Sequence, residues 1–337
     1  MKTFSITRAL YMSSATLLLT SAAAFGSTYN QMVVFGDSLS DNGNLSTAAG
    51  PGVFSALDYD PSRATDGPTT TPASAITGVT VEQLNTLLGL APLTPSIAGG
   101  NNYAWGEATT SANPPDLIHG LTPGTGFQEL SYVFQNTHAD PNSLYVIWAG
   151  SNDLLNATTP SAVQAAEAQA IQNLQQQVGA LLTLGAQHIA WFDLPDLSLT
   201  PLAKSEGATM DQQLHDSSLQ FRTDWETAIG QLQSIFPTAS ITGIDTFSVI
   251  ESIAADPSKY GLTDVVDPAQ GQAGVDPDQY LFWDSEHPTT KADSILADIA
   301  YRQLVPVPEP SGSVYLSSAL FLLVLQRYNA SRRRRAS

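Results

Sequence analysis

The chain has 337 residues, 31 acidic and 13 basic side chains, a formal net charge of −18 and no cysteine. This acidic balance disfavours nucleic acid as a partner, because phosphate binding needs clustered lysine and arginine. The absence of cysteine excludes disulfides, thiol catalysis and thiolate metal sites.

The first element in chain order is a predicted secretory signal, residues 1–26. Lys2 and Arg8 precede an apolar stretch, and small residues follow it. This order of charged, apolar and small segments is typical of an exported protein, so we expect export through a Sec-type pathway. Two cleavage positions remain open, after Ala24 and after Gly26.

One domain is predicted over residues 27–305, because no linker or internal repeat interrupts it. Short apolar runs alternate with amphipathic stretches, a pattern that favours a parallel sheet covered by helices. The predicted strands are Met32–Phe35, Leu144–Trp148, His188–Phe192 and Ile241–Ile244, with a weak strand near Asn102–Ala104.

Three helices are predicted in the second half of the domain. The first begins after Thr159, which can cap it, and ends at Gly185. The second covers roughly Gln212 to Phe236, and the third follows Pro288. Two further segments are predicted to be loops: Thr47–Gly100, with one short helix around Val81–Leu88, and Asp264–Gln279. Four aspartates of the second loop, Asp264, Asp267, Asp276 and Asp278, match no calcium-loop spacing, so we predict no metal site and no cofactor.

Ser38 is the candidate nucleophile. It follows the apolar run of the first strand in the sequence Gly36-Asp37-Ser38, where a turn can expose its hydroxyl beside free backbone N–H groups. Serine needs a neighbouring base to become nucleophilic. An ordinary turn, with Ser38 as a helix cap, is the alternative reading of this motif.

His287 is the candidate base, and Asp284 is the residue expected to orient it. A histidine with a pKa near 6.5 exchanges protons near neutral pH. A carboxylate three residues earlier can hold the ring in the tautomer that accepts the serine proton. The remaining four histidines, His119, His138, His188 and His215, lack such a context and are predicted to be structural or exposed.

Asn152 and Gly106 are candidate oxyanion donors. The Asn152 amide follows an apolar run and Gly150, and such a donor typically contributes ~10²–10³ in rate. Gly106 has no side chain, so its backbone N–H could approach a substrate oxygen. Capping of the following segment is the alternative role of Asn152.

These motifs occur in one order along the chain. Gly-Asp-Ser-Leu-Ser-Asp at 36–41 is followed by Asn-Tyr-Ala-Trp-Gly at 102–106, Gly-Ser-Asn-Asp at 150–153 and Trp-Asp-Ser-Glu-His-Pro-Thr at 283–289. Together they resemble the GDSL, or SGNH, family of esterases and lipases. Shorter matches, such as Thr65-Asp66-Gly67-Pro68 and Leu194-Pro195-Asp196-Leu197, extend the resemblance from about Met32 to about Leu304.

The resemblance implies an α/β fold, a flavodoxin-like three-layer α/β/α sandwich with a central parallel sheet. It also implies a catalytic triad of Ser38, Asp284 and His287, with an oxyanion hole formed by Ser38, Gly106 and Asn152. Glu107 departs from the family pattern, in which a glycine or small residue often stands at this position. The substrate implied is an ester of a lipid, an acetylated sugar or a small alcohol.

The chain ends in a segment, 306–337, that is unlike the domain. A Pro-Glu-Pro motif at 308–310 precedes an apolar run over 314–325 and an arginine cluster over 332–335. The apolar run is short for a membrane span, which needs about 20 residues. The three parts resemble the PEP-CTERM sorting signal of Gram-negative bacteria. That resemblance implies an exosortase-type processing enzyme as partner and a location in the cell envelope, at the surface or outside the cell. A plain tail anchor is the alternative.

The sequence therefore predicts an exported serine esterase or lipase that forms an acyl-enzyme on Ser38. Two alternatives remain open. One is a surface-displayed binding or matrix protein on an inactive hydrolase scaffold, and the other is an acyltransferase in which an alcohol replaces water.

Overall fold

A computed structural model describes residues 29–50, 52, 56–60, 62–69, 76–114 and 122–305. The predicted signal, 1–26, and the predicted sorting tail, 306–337, lie outside the described residues. Within the described ranges, the helices all fall short of the length and apolar character that a membrane crossing needs.

Four parallel strands form the central sheet: β1 (Met32–Gly36), β2 (Leu144–Trp148), β3 (His188–Phe192) and β4 (Ser240–Ile244). Their spatial order is β1-β2-β3-β4. The register pairs Met32 with Leu144, Leu144 with His188, and His188 with Ser240, so the carboxyl ends of all four strands meet at one edge. The four predicted strands are confirmed to within one residue. Strands β1 to β3 are almost continuous apolar runs, as expected of strands covered on both faces.

The helices in chain order are α1 (Asn44–Ala49), α2 (Thr80–Leu87), α3 (Thr125–Gln135), α4 (Ser151–Leu155), α5 (Pro160–Thr183), α6 (Pro201–Ser205), α7 (Ala208–Ile235), α8 (Thr246–Ala255) and α9 (Thr290–Leu304). Short 3₁₀ turns lie at Ser96–Ala98, Leu197–Leu199, Pro257–Tyr260 and Pro277–Gln279.

Helices cover both faces of the sheet. Successive strand residues point to opposite faces. Val33 and Phe35 therefore pack in a core that includes the apolar sides of α5 and α7. Met32 and Val34 pack in a second core with α2, α8 and α9. The predicted three-layer α/β/α sandwich with a central parallel sheet is confirmed.

The long helices begin and end at the residues that local chemistry favours. Thr159 accepts a hydrogen bond from the Ala162 N–H, and Pro160 occupies the first position of α5. Gly185, just beyond the last turn of α5, has φ 110°, a value that favours glycine. Thr289 caps α9 through the Ala292 N–H and thereby fixes the end of the loop that carries His287.

Two predicted segments differ from the structure. Helix α7 begins at Ala208 rather than Gln212, because Met210 is the one residue of its first turn that packs against the core, and a single residue gives no apolar periodicity. The segment Asp264–Gln279 is not only loop: β5 (Asp264–Pro268) pairs in parallel with β6 (Tyr280–Phe282). Strand β5 is partly exposed and polar, so the alternation that signals a strand is missing.

The first predicted loop, Thr47–Gly100, also contains more structure than expected. Helix α1 enters it, α2 confirms the predicted short helix, and a 3₁₀ turn closes it. In place of the weak strand near Asn102–Ala104, Asn102 forms isolated parallel bridges with Val34 and Pro95, and the Tyr103 N–H donates to the Val34 carbonyl.

Candidate active site

Ser38 lies in the tight turn that ends β1. The Ser40 and Asp41 N–H groups both donate to the Asp37 carbonyl, and the Leu39 N–H donates to Asp37 Oδ1. Gly36 is required at the end of the strand, since a Cβ there would lie 2.5 Å from the Trp148 carbonyl oxygen. The strand can therefore stop abruptly and present Ser38 at the carboxyl edge of the sheet.

The structure brings Ser38, His287 and Asp284 into one hydrogen-bonded chain. Ser38 Oγ is 2.8 Å from His287 Nε2, and His287 Nδ1 is 2.7 Å from Asp284 Oδ2. With the Nδ1 proton donated to the carboxylate, Nε2 is left to accept the serine proton. This is the geometry of a nucleophile, a general base and an orienting acid.

The Asp284 carboxylate is held by four hydrogen bonds. Its Oδ1 accepts from the backbone N–H groups of Glu286 and His287 at 2.8 and 2.7 Å. Its Oδ2 accepts from the His287 ring and from the Tyr59 hydroxyl, which lies at 2.6 Å. Four donors occupy its acceptor positions and fix the plane of the carboxylate. Sequence reasoning missed Tyr59, because no motif links a loop tyrosine to an aspartate 225 residues away.

The charges around His287 raise its pKa. Burial favours the neutral ring, but the hydrogen bond and charge of Asp284, with smaller contributions from Glu286 and Asp37, outweigh burial and raise the pKa of His287 to about 9. Burial alone would raise the pKa of Asp284. The pKa is instead lowered to about 2, because the carboxylate accepts hydrogen bonds from His287 and Tyr59 and is attracted by the charge of His287. The pair therefore favours a carboxylate beside an imidazolium.

Asn152 lies at the mouth of the site, on the first turn of α4. Its Nδ2 donates to the Ala108 carbonyl at 3.1 Å, which orients the amide and leaves its second proton uncommitted by that bond. Gly150, which precedes α4, has φ 122° and provides a sharp turn between β2 and α4. Asn152 shares its cavity walls with Ser38 and His287.

Gly106 lines the outer cleft together with Ser38 and Asn152, but its N–H already has a partner. Its N–H donates to Asp41 Oδ2 at 2.8 Å and is therefore engaged by a carboxylate rather than directed to a substrate oxygen. Asp41 also accepts from the N–H groups of Gly43, Asn44 and Leu45. The carboxylate thus ties the Ser38 turn to the segment that carries Gly106, a connection that the spacing of the two motifs does not reveal.

Two glutamates border the site. Glu107 is exposed and has φ 63°, a left-handed conformation that explains why glycine is common at this position in the family pattern. Glu286 lies between the two triad residues of its loop, and burial together with Asp284 and Glu107 raises its pKa. Both side chains line the same two clefts beside Ser38.

Three spaces meet at this site. A narrow cavity of about 50 Å³ contains Ser38 and His287 in its wall and is otherwise mainly apolar. An outer cleft of about 300 Å³, lined by Tyr59 among others, lies on a second side of the same two residues. A polar cleft of about 380 Å³ adjoins them through Asn152, Glu107 and Glu286.

The loop that carries His287 is anchored by the Thr65-Asp66 pair of the family pattern. Thr65 Oγ1 donates to the Pro288 carbonyl at 3.0 Å, and Asp66 Oδ1 accepts from the Thr290 N–H at 2.6 Å. The Thr290 hydroxyl also donates to the Asp66 carbonyl. This motif therefore positions the base without touching the reacting atoms.

His215 has a more specific environment than the sequence suggests. Its Nδ1 is 2.7 Å from Asp196 Oδ2, and Glu251 joins them, so that ligand-type atoms of the three residues lie within 4.8 Å of one another. In the described part of the chain this is the one such group, and it lies apart from the four aspartates weighed for calcium. Asp196 is buried in the wall of the narrow cavity, where His215 compensates its charge.

A sequence model of one family, described as GDSL-like Lipase/Acylhydrolase, matches residues 32–300. Esterase EstA of Pseudomonas aeruginosa is 30% identical over 328 residues, which cover 85% of this chain and 48% of EstA. A GDSL esterase/lipase of Arabidopsis thaliana, At1g71691, is 28% identical over 324 residues, 80% of this chain and 81% of the plant protein. This chain therefore spans about half the length of its EstA relative.

A phosphatidylcholine-sterol acyltransferase of Aeromonas hydrophila is 25% identical over 267 residues, which cover 77% of this chain and 70% of that protein. Among solved structures, an acetylxylan esterase of Geobacillus stearothermophilus, Axe2, superimposes with a TM-score of 0.44 and 13% identity, covering 85% of this chain and 99% of that one. A lipolytic G-D-S-L family protein of Veillonella parvula has a TM-score of 0.41 and 14% identity, covering 82% and 99%.

Proposed function

Because the chain belongs to the GDSL-like lipase/acylhydrolase family and is thus a carboxylic ester hydrolase, we propose that it cleaves its ester through an acyl-enzyme on Ser38. The observation that carries the proposal is the hydrogen-bonded chain from Ser38 Oγ through His287 to Asp284. An ordinary strand-ending turn gives no reason for a serine, a histidine and an aspartate to meet across 249 residues of sequence.

The reaction proceeds in two halves. His287 Nε2 takes the Ser38 proton as Oγ attacks the ester carbonyl, and a tetrahedral oxyanion forms. Collapse expels the alcohol, which receives the proton from His287, and leaves the acyl group on Ser38. Water then attacks the acyl-enzyme with His287 again as base, releases the carboxylic acid and regenerates the serine. Asp284 holds the ring and stabilises the imidazolium in both halves.

The oxyanion is stabilised by the Ser38 N–H and the Asn152 amide. Asn152 borders the same cavity walls as Ser38, and its Nδ2 is already oriented by Ala108. The Gly106 N–H contributes only if the Asp41 carboxylate releases it, because each N–H donates one strong hydrogen bond. No metal or cofactor is needed for this cycle.

Hydrolysis of p-nitrophenyl acetate by the full chain, beside Ser38→Ala, tests the mechanism. We expect Ser38→Ala to lower kcat by at least about 10³-fold, since removal of a triad member leaves only binding and oxyanion stabilisation. Far-ultraviolet circular dichroism and the unfolding midpoint verify that the variant is folded. Turnover retained by a folded Ser38→Ala protein would reject the proposal.

Transfer of the acyl group to an alcohol is a second candidate outcome of the same chemistry. The relative named phosphatidylcholine-sterol acyltransferase favours it, because the acyl-enzyme is common to both reactions. Product analysis with and without added glycerol separates the two. Free acid as the main product supports hydrolysis, and glycerol ester formed in excess of free acid supports transfer.

We also propose that the chain is exported by its N-terminal signal and processed at its tail by an exosortase-type enzyme. The charged, apolar and small-residue order of 1–26 supports the first step, and the Pro-Glu-Pro motif with its apolar run and arginine cluster supports the second. Mass spectrometry of the protein recovered from a Gram-negative host carrying an exosortase tests both. Intact termini on the recovered protein would contradict the proposal.

A further inference from the structure

A histidine and two carboxyls from three separate segments meet beside the narrow cavity. Asp196 lies in the loop after β3, where it caps the 3₁₀ turn Leu197–Leu199, His215 is on α7 and Glu251 is on α8. His215 Nδ1 is 2.7 Å from Asp196 Oδ2, and one ligand-type atom of each residue lies within 4.8 Å of the other two. Because the three residues are distant in sequence, no spacing motif marks the cluster, and the sequence alone predicts no metal site there.

Asp196 is the fixed member of this cluster. It is 1% exposed, and its Oδ1 accepts the Ser198 N–H at 3.0 Å, so Oδ2 remains for the contact with His215. Carboxylates that ligate metals are commonly hydrogen-bonded in this way, because the bond fixes their orientation. The His215 ring packs on Phe247, with ring centroids 5.9 Å apart. Two of the three donors are therefore already oriented.

The charge of the cluster favours a cation. Burial of a carboxylate is costly unless a cation or a hydrogen-bond donor compensates it, and two neighbouring carboxyls repel each other when both are ionised. Among the ion pairs of the described residues, neither Asp196 nor Glu251 is paired with lysine or arginine. A third carboxylate, Asp216, lies near His215. A divalent ion would offset this negative charge more fully than the single positive charge that His215 can carry.

The types of donor atom favour a first-row transition metal. Imidazole nitrogen is a ligand of zinc, iron, copper and nickel, whereas calcium and magnesium prefer oxygen ligands. Zinc binds nitrogen and oxygen at about 2.0–2.2 Å, so the ligand atoms of a tetrahedral site lie about 3.4 Å apart, and side-chain shifts of about 1 Å would close the cluster around the ion. Neither His215 nor Glu251 is fully buried, so the ion has access from solvent.

We propose that Asp196, His215 and Glu251 form a binding site for a divalent transition metal, with zinc as the best match. Three protein ligands leave at least one position of the ion for water. The ion ties α7 and α8 to the loop after β3. Leu197 and Ile250, each next to a ligand in the sequence, line the narrow cavity, so the ion also braces one wall of that cavity. None of the three ligands belongs to the triad, and the pair of Asp196 with a protonated His215 is the metal-free state of the site.

Calorimetric titration of the untagged full chain with zinc chloride tests the proposal. We expect one Zn²⁺ to bind per chain with a Kd below about 10 μM. His215→Gln should weaken binding at least about 100-fold, since even residues that only hydrogen-bond to a ligand contribute about 10–100-fold. His188→Gln is the matched control, because His188 is also partly buried but packs on Tyr29 at the start of β3. This control should retain the wild-type affinity.

The triad also brings a histidine and a carboxylate together, so His287→Gln is the control for the location of the ion. We expect this variant to bind Zn²⁺ as tightly as the wild type. X-ray absorption at the zinc edge of the wild-type complex should show one imidazole nitrogen, with the remaining ligands oxygens at about 2.0–2.2 Å. This measurement does not depend on the folding of any variant.

Bound zinc should also stabilise the fold, because only the folded chain brings the three ligands together. At about 100 times Kd we expect the unfolding midpoint to rise by about 5 °C or more, and Glu251→Gln should reduce the rise. Absence of binding at about 1 mM Zn²⁺, equally tight binding of Ca²⁺, or wild-type affinity in His215→Gln would overturn the proposal. Each of these outcomes leaves the esterase function intact, since that function is tested by Ser38-dependent turnover.

Discussion

At the scale of single residues, the raised pKa of His287 has a direct kinetic consequence. A general base must be unprotonated before it can accept the serine proton. With the pKa of His287 at about 9 in the free enzyme, only a small fraction of the protein is competent at pH 7. We expect kcat/KM to rise with pH to a plateau, with a midpoint near 9, in a profile measured from pH 6 to 10.5.

Glu286→Gln checks the origin of that midpoint. The Glu286 charge is one of the contributions that raise the pKa of His287, so its removal should move the midpoint to lower pH. The Glu286 N–H bond to Asp284 comes from the backbone and survives the substitution. A wild-type midpoint near the ordinary value of 6.5 would show that the carboxylates around the ring do not act as described.

Tyr59 is expected to act as a positioning residue through Asp284. Tyr59→Phe removes one donor to the carboxylate, and we expect kcat to fall about 3–20-fold with KM nearly unchanged, within the range for a hydrogen bond to a charged group. The loss also leaves more negative charge facing His287, which should shift the pH midpoint upward.

Tyr260→Phe is the matched control for this substitution. Tyr260 bonds to Ser252 at 2.8 Å, outside the site, and its loss should leave the pH profile in place. A Tyr59→Phe enzyme that loses stability while its pH midpoint stays fixed would reduce Tyr59 to a structural role.

At the scale of elements, two threonine caps are chemically alike but differently placed. Thr159 caps α5 from an exposed position, whereas Thr289 is fully buried, caps α9 and also donates to the Tyr280 carbonyl. Thr159→Ala should lower the free energy of unfolding by about 1 kcal/mol and leave kcat unchanged. Thr289→Ala should cost about 2–3 kcal/mol, because it also removes the hydrogen bond to the part-buried Tyr280 carbonyl.

Thr289 follows His287 by two residues, so its substitution should lower kcat as well as stability. Urea unfolding curves and kcat values for both variants provide the check. An equal effect of the two substitutions on kcat would show that α9 does not hold the base in place.

The elements also show what could be predicted from the sequence. Strands β1 to β3 are almost entirely apolar, so their residues alone define them, and the helix caps at Thr159 and Thr289 are equally local. Strand β4 contains Ser, Thr and Gly, and Ile241 and Ile244 are its main apolar signal. Strand β5 was not predicted because it is partly exposed and begins with an aspartate. The first turn of α7 was not predicted because Met210 is its one residue that packs against the core.

The triad residues were predictable for a different reason. Each stands in a short motif, and the motifs indicate one site when they are taken together, since each alone is compatible with a turn or a helix cap. Tyr59 and the bond from Gly106 to Asp41 depend on how distant loops meet, and no single segment encodes that information. The sequence therefore predicts the reacting side chains. It does not predict the residues that position them, such as Tyr59, or those that bond to a predicted donor, such as Asp41.

At the scale of the whole molecule, stability and activity should change in opposite directions with pH. Among the carboxyls whose pKa values are raised by burial, five reach values between about 6 and about 8: Asp37, Asp193 and Glu167 about 7, Glu129 about 8 and Asp153 about 6. A raised pKa means that the folded state binds the proton more tightly than the unfolded chain. The stability that such a carboxyl contributes is complete at pH values below its pKa in the unfolded chain. This contribution is lost as the pH rises through its pKa in the folded protein.

His287 adds to the same trend, because its folded pKa is also raised. Asp284 opposes it only in acid, since its lowered pKa removes stability as pH falls toward 2. We therefore expect the unfolding midpoint to be highest near pH 5 and to fall steadily to pH 9, while kcat/KM rises. Differential scanning calorimetry across this range tests the trend, and a midpoint that increases from pH 5 to pH 8 would contradict it.

The separation of Ser38 and His287 by 249 residues also has a consequence during synthesis of the chain. A ribosome completes the serine turn long before it has added the loop that supplies the base. The loop that supplies the base leads directly into α9, and Thr80 on α2 donates to Asp293 of that helix. We therefore expect a nascent or truncated chain that lacks α9 to carry an unreactive serine, because its general base would not be held beside Ser38.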